Sequence, residues 1–513
     1  MPKETLEPDE PEDFLRRILE RLVYLSSLSL VIVFYFWTIV SNGRHPNDPS
    51  AFYYPHLADA FLKKQTYLQQ KPEPELLELK DPYDPDQNWP YRLHDASLYK
   101  GKYYIYFGPT PAVLVFAPYR LLTRHDLQQR LAVFIFCSLG YIFSRMLFSA
   151  LVRDHFPRTP LWLRVGAMFS LGLANACPFL LRRPDVYEVA ISSAYGLLQL
   201  AFLCFYVSLK DPRKTVAGLF LVSFCIGAAV ASRYNYLFAA GVFVLFLGWN
   251  WWWQRERKER LAWTVFVALV PIGAIGLALA WYNKVRFGSP FDFGWKYQLA
   301  GVEVSKITFT SIANLPYTIW YYFLSQPDWQ ATFPFVKLPP TPGPYYVFGE
   351  GHFFGLEKVA GLFVLAPVSI FALALPFELA RLRAKEKEVD FKPLEMTLLF
   401  IAAATLGVLL PILCISGATM RYMVDFAPGF IFLGCIVMCG LVSHPPRREV
   451  YRWLQRDFFL LILFFGCWNG LMISFIGYYD WLRETNPGQY AALAHLFAPV
   501  SKIISLVLYL TTV

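Results

Sequence analysis

Apolar runs close to the ~20 residues needed to cross a bilayer recur along the whole chain, separated by short polar or charged connections. Bounded by charge or by Pro and Gly, they fall at 22–40, 128–150, 163–181, 187–209, 215–232, 235–253, 261–282, 358–380, 394–415, 424–442 and 457–477, with a twelfth candidate at 499–513. The pattern predicts an all-α polytopic membrane protein of about 11–12 transmembrane helices. Two long stretches, 41–127 and 283–357, interrupt it and are expected to be built loops. The chain then divides into a module at 1–282 that includes the first loop, a second loop at 283–357, and a C-terminal set of helices at 358–513.

The run Ile105 to Leu122 decides the orientation of everything after it. It carries Pro109, Pro111 and Pro118, each lacking a backbone donor, so it is expected to lie on the surface and not to cross. With that choice the basic connections share one side: Arg16/Arg17/Arg21, Arg153/Arg158/Arg164, Lys210/Arg213/Lys214, the QRERKER segment at 254–260, 381–392 and 447–456. Positive-inside statistics make that side cytoplasmic, with the N-terminus, and place both long loops outside. Trp251 to Trp253, directly before QRERKER, fit an inner interfacial belt. Ser305 to Gln326 mixes apolar and aromatic residues around Pro316 and reads as a broken helix on the outer membrane surface. No small-residue cleavage site follows the first run, so it is read as an uncleaved span.

Composition narrows the class further. In 513 residues, 56% are hydrophobic and only 17% charged, against roughly 25% charged in soluble domains. Disorder, a collagen-like chain, a secreted disulfide scaffold and a soluble nucleic-acid binder are excluded. The net charge of +9 is first a topology signal. All eight cysteines lie in apolar runs without CxxC spacing, so they read as small buried hydrophobes.

Candidate chemistry concentrates in the outer segments. Asp48-Pro49 either starts a helix as N-cap and first residue or places a general base just beyond the first span. Asp81, Asp84 and Asp86 sit in Asp-Pro turn chemistry. The aromatic stretch from His94 to Gly108 is either a surface hairpin or the wall of a sugar-sized pocket, drawing on Tyr54, His56, His94, Asp95 and Tyr104. In the turn from Arg182 to Glu188, snorkelling explains the two arginines but not the carboxylates beside them. Asp185 and Glu188 share one face at the start of a span, as helix-terminal anions or as a second acidic element, with a divalent metal held by oxygen ligands one alternative. No other cofactor is indicated. Arg233, Lys284, Arg286 and Arg421 stand at outer span ends against the positive-inside trend. They suit a lipid-linked phosphate; the plainer account is headgroup anchoring and an Arg421–Asp425 helix pair. Gly349 to Gly355 follows no predicted strand and so is no dinucleotide fingerprint.

This layout resembles the GT-C superfamily of membrane glycosyltransferases, which includes protein O-mannosyltransferases, aminoarabinose transferases and the catalytic subunit of oligosaccharyltransferase. Asp48 in NDPSAFYYPHLADAFL resembles their early loop motif, Gly108 to Leu122 their surface helix, and Asp185 with Glu188 their second acidic motif. The RYN beginning at Arg233, the RFGSP from Arg286 and the RYMVDFAP from Arg421 are similar to segments of bacterial members. The resemblance implies a GT-C-like topology in the cell inner (plasma) membrane. It further implies inverting transfer of a hexosyl or pentosyl unit from a polyprenyl-phosphate donor to a lipid, glycan or protein acceptor on the outer face. Asp48 would be the base, and Arg233, Arg421, Arg286 and His352 the donor-phosphate contacts. Two rival classes are a multi-pass transporter and a non-catalytic lipid-binding protein; the span centres carry no Asp, Glu, Lys or Arg and no internal repeat is visible, which weighs against transport.

Overall fold

The computed structural model describes residues 11–41, 52–253, 258–339, 345–347, 353–384 and 392–512. Among them, seven helical stretches are long and apolar enough to cross a membrane: Ile18–Val40, Gln129–His155, Leu161–Arg182, Val186–Lys210, Ala262–Phe287, Lys392–Cys414 and Glu449–Ile476. The chain is a polytopic helical membrane protein. We label the main elements α1 (Pro11–Val40), α2 (Tyr53–Leu62), β1 (Ser97–Tyr99), β2 (Lys102–Tyr104), α3 (Ala117–Thr123), α4 (Gln129–His155), α5 (Leu161–Leu173), α6 (Cys177–Arg182), α7 (Val186–Lys210), α8 (Thr215–Val230), α9 (Leu237–Trp253) and α10 (Lys258–Phe287). They continue with β3 (Tyr345–Val347), β4 (Phe353–Leu356), α11 (Lys392–Cys414), β5 (Gly417–Ala418), α12 (Ala427–Val442) and α13 (Glu449–Ile476).

Three expected spans are shorter helices, at Thr215–Val230, Tyr234–Trp249 and Ala427–Val442. The run at 358–380 is not one helix. It breaks into an α-turn at Leu362–Leu365, a 3-10 stretch at Pro367–Ala374 and an α-helix at Leu375–Ala384. Pro367 supplies no N–H, and Ala366 before it leaves the helical region at φ −130° and ψ 75°. At the C-terminus, Pro487–Leu496 and Ala498–Val507 form a pair bent by 56°.

The segment with three prolines forms only a short helix. A π-helical turn at Ala112–Phe116 runs into α3, so the helix ends at Thr123 after 12 residues (Ala112–Thr123). At ~1.5 Å per residue it reaches only about 18 Å, well short of the ~30 Å apolar thickness. Ser305–Gln326 is likewise broken, into 3-10 turns at Val304–Lys306 and Ile312–Asn314, an α-turn at Leu315–Ile319 and a π-turn at Trp320–Leu324. Pro316 does not cause that break; it lies in the first turn of Leu315–Ile319, where a missing donor costs nothing.

α7 and the α5–α6 stretch lie deepest in the bundle, each with 78% of its apolar window buried, against 28% for α1 and 22% for α10, which face outward. Without a hydrophobic drive between helices in lipid, close approach needs small residues. Gly470 of α13 shows it, because a Cβ there would come within 1.9 Å of the Leu173 carbonyl oxygen at the end of α5. The hairpin reading of the aromatic stretch is realised as β1 and β2, with Ser97 opposite Tyr104 and both turn residues, Lys100 and Gly101, at positive φ. That geometry matches the twist of the strands. β3 pairs antiparallel with β4, Tyr345 opposite Gly355, and residues 348–352 of the glycine-containing segment lie outside the described residues. β4 also pairs in parallel with β5, Gly355 opposite Gly417, tying the second loop to the turn after α11.

Charged contacts sort the loops into two ends. Lys210 meets Asp154, Arg164 meets the Tyr24 hydroxyl, and Arg381 meets Glu378 and the Gly440 carbonyl at the end with the basic connections. The other end carries the hairpin, the α6–α7 turn, the segment after α8 and the Ser416–Asp425 turn. Gly470→Ala should cost roughly 1–3 kcal/mol by overpacking, lowering the thermal midpoint in detergent. Gly248→Ala, where an added Cβ meets nothing within 4 Å, should leave it unchanged.

Candidate active site

The α6–α7 turn begins the site. Asp185 caps α7 and forms a capping box with Glu188, the Asp185 N–H donating to Glu188 Oε2 at 3.2 Å. Glu188 is buried, and among the described residues its Oε1 has no hydrogen-bond partner. The two carboxylates start the helix, and one Glu188 oxygen is left without a partner among the described residues. Arg183 donates to Asp185 Oδ2 at 2.9 Å. Burial alone would weaken its charge, but Glu188 and Asp185 outweigh burial and hold its pKa above the ordinary value. Arg182 does not snorkel. It is fully buried and donates to the Ser474 carbonyl at 2.6 Å and to Ser41 Oγ at 2.8 Å, joining the exit of α1 to the end of α13.

Facing this turn is Arg421, from a 3-10 segment at Met420–Asp425. Its Nη2 donates to Glu357 Oε1 at 2.9 Å, and its guanidinium lies 4.4 Å from the centroid of the Tyr187 ring. Burial opposes its charge, yet Glu357 and the tyrosines Tyr478 and Tyr422 keep its pKa well above normal. Arg421 also stands close enough to Arg183 for the two cations to repel. The Arg421–Asp425 pair expected from spacing does not form: Asp425 pairs instead with Arg233, at 2.8 Å, and accepts from Tyr236 at 3.1 Å. A 3-10 segment places residues four apart on different faces, since three residues complete its turn.

Arg286 occupies neighbouring ground without a carboxylate partner among the described residues. It donates to the Ile105 carbonyl at 2.6 Å and to Asn283 Oδ1 at 2.7 Å, under the ring of Tyr282 at 3.8 Å. Among the described residues the Nε atoms of Arg233, Arg286 and Arg421 are all without a partner.

The first loop adds Asp95, held in left-handed backbone at φ 62°. Its main-chain N–H donates to the Leu299 carbonyl at 2.9 Å, and Gln298 donates to its Oδ1 at 2.7 Å. Exposed His94 lies 3.4 Å from its Oδ2. Burial raises the Asp95 pKa, while His94, Gln298, Arg421 and Arg183 oppose the rise. Tyr106 stands within electrostatic reach of Asp95, Arg421 and Arg233.

The structure thus brings together Asp95, Asp185, Glu188, Arg233 and Arg421, with His94 at the rim and Arg286 adjacent. Tyr54 and Tyr104 are committed to packing: the Tyr54 hydroxyl donates to the Gly108 carbonyl at 3.2 Å, and the Tyr104 ring packs 5.2 Å from Phe287. His56 stands elsewhere, near Asp126, Asp59 and Arg120, with partial burial lowering its pKa. Asp48 and His352 lie outside the described residues. Sequence reasoning did not single out Glu357, Tyr106, Tyr187, Tyr422 or Tyr478. Of these only Glu357 carried a signal, a lone carboxylate at the mouth of a predicted span. No group of three or more His, Cys, Asp or Glu among the described residues could hold a metal ion.

These features define a membrane-embedded helical protein with a buried, doubly charged site at one end of its bundle. No protein-family model matches the chain, and no curated protein matches it in sequence. Among solved structures it is similar to ArnT from Cupriavidus metallidurans bound to undecaprenyl phosphate, with TM-score 0.44, 13% identity, and coverage of 93% of this chain and 79% of that one. It is also similar to the archaeal oligosaccharyltransferase AglB from Archaeoglobus fulgidus, in complex with an inhibitory peptide and a dolichol-phosphate, with TM-score 0.45, 14% identity, and coverage of 93% of this chain and 59% of that one.

Raising the Asp95 pKa means the fold prefers the neutral carboxyl. Stability is then full below the ordinary Asp range and declines as pH rises through the raised value. Asp95→Asn should therefore melt with wild type near pH 4 and above it near pH 7 (both ~, set by the ordinary Asp pKa). Thermal unfolding of both proteins across that range checks the sign.

Proposed function

We propose that the chain is an inverting glycosyltransferase. It would move a sugar from a polyprenyl-phosphate-linked donor to a lipid, glycan or protein acceptor on the outer face of the inner membrane. The observation that carries this reading is the buried guanidinium of Arg421 at the end of a membrane-spanning bundle, with the partly exposed Arg183 within electrostatic reach of it. Two cations held close favour an anion between them, and paired arginines suit phosphate oxygens. Beside Phe179, whose ring packs 4.6 Å from Tyr478, a small apolar cavity is lined by Leu362, Met420, Met423, Gly466 and Ile473, so apolar surface adjoins the cations. Positive-inside orientation assigns this end to the outer face and the N-terminus to the cytoplasm.

The chemistry uses the groups at this site together with Asp48 and His352, which lie outside the described residues. The acceptor oxygen attacks the anomeric carbon opposite the phosphate. The carbon–oxygen bond to phosphate breaks, and its electron pair stays on the phosphate oxygen. Arg421 and Arg183 stabilise the charge developing there, with Arg233 and Arg286 holding the surrounding segments and His352 a further phosphate contact. Asp48 takes the acceptor proton. Asp95, with His94 and Tyr106, orients hydroxyls of the sugar or acceptor, and Asp185 and Glu188 keep Arg183 in place.

Lipid mass spectrometry of detergent-purified protein should detect a polyprenyl phosphate or its sugar ester, and Arg421→Gln should lose most of it. Recovery of bulk phospholipid alone would count against the donor. Asp48→Asn should retain the lipid and lose transfer by at least ~100-fold; unchanged turnover would move the base to another carboxylate.

A further inference from the structure

Glu357 has a place in this site that the transfer chemistry leaves unused. The parallel β4–β5 pairing sets it beside the Ser416–Asp425 turn, its N–H donating to the Ala418 carbonyl at 2.9 Å. Its carboxylate is then fixed on both oxygens. Thr419 Oγ1 donates to Oε2 at 2.7 Å, and Arg421 Nη2 donates to Oε1 at 2.9 Å. The Tyr478 hydroxyl accepts from the Arg421 N–H at 3.0 Å and lies 2.6 Å from Thr419 Oγ1. With the Thr419 proton given to Glu357, the Tyr478 proton must go to Thr419. The chain therefore runs one way and ends on the Glu357 carboxylate.

The two ends of the ion pair differ in access. The Arg421 side chain is 8% exposed and that of Glu357 is 42% exposed, so the carboxylate stands on the open side of the cation. Other contacts of the Arg421 guanidinium are with aromatic faces, those of Tyr187, Tyr422 and Tyr478. A phosphate reaching Arg421 from the open side meets Glu357 first, and two anions sharing one guanidinium repel.

We propose, on the reading that Arg421 binds the donor phosphate, that Glu357 is an internal anion competing with that phosphate, and that it discriminates by ligand charge. The sugar-bearing donor is a phosphodiester with one negative charge. The lipid product is a phosphate monoester carrying about −1.5 to −2 at neutral pH. Repulsion from a fixed carboxylate scales with ligand charge, so Glu357 weakens product more than donor and opposes product inhibition.

The test measures binding of a short-chain polyprenyl phosphate, and of its sugar phosphodiester, to purified full-length wild type and Glu357→Gln. Glu357→Gln should tighten the monoester about tenfold and the diester less. It should lower steady-state turnover by a larger factor than it changes the single-turnover rate. Glu357→Asp, which withdraws the carboxylate from Arg421 without removing it, should fall between and serves if Glu357→Gln does not fold. Weaker binding of the monoester by the variants would overturn the proposal, because it would make Glu357 a support for Arg421. Equal tightening of both ligands would overturn the charge discrimination. If wild type binds neither ligand, the donor assignment itself fails; if wild type binds and the variants do not tighten, only the role of Glu357 fails.

Discussion

A guanidinium taken out of water must be given hydrogen bonds or an opposite charge, and one end of this bundle buries four of them. Arg182, Arg233, Arg286 and Arg421 each meet the requirement differently. Arg182 uses the Ser474 carbonyl and the Ser41 hydroxyl, Arg286 the Ile105 carbonyl and Asn283, Arg233 the Asp425 carboxylate, and Arg421 the Glu357 carboxylate. Removing one partner of such a buried contact leaves an uncompensated charge, which costs far more than the contact contributes. Each arginine therefore commits two or more distant segments to one place: α1 to α13, the hairpin to α10, the turn after α8 to the turn after α11, and the second loop to that same turn.

The loops at this end are consequently structural members and not tethers. Gly108 lies so close to the end of α8 that an added Cβ would come within 1.9 Å of the Ala231 carbonyl oxygen. Thr110 donates to the Ala228 carbonyl at 2.8 Å just beyond it. That contact carries Tyr106 toward Arg233, while the Arg286 bond to Ile105 holds the strand from the other side. Asp95 in left-handed backbone is the local cost of turning the chain so that its carboxylate faces the same cluster. Its ties to Gln298 and Leu299 show the second loop bracing the first.

Much of this was legible in order along the chain. Hydrophobic periods gave the seven long spans, the three prolines of 105–122 forecast a helix too short to cross, and alternating aromatics around Lys100-Gly101 anticipated the hairpin. Asp185 and Glu188 were legible as a pair because helix spacing alone puts residues three apart on one face. Other features were misread for local reasons. The 358–380 run is apolar between Lys358 and Glu378, and hydropathy is blind to what Pro367 does to the backbone. The partner of Arg421 was inferred from helical spacing, whereas a 3-10 turn rotates Asp425 away and leaves Arg421 to Glu357.

The sequence by itself determined the class of the protein, its division into spans and loops, and which ionisable residues stand at span ends. Burial in lipid is an additive property of short windows, so composition suffices for it. Only the tertiary structure decided which carboxylate answers which arginine, and that Tyr54 and Tyr104 are engaged in packing contacts. Those outcomes depend on contacts between residues up to several hundred positions apart, where electrostatic preference names the kinds of partner and helix packing selects among them.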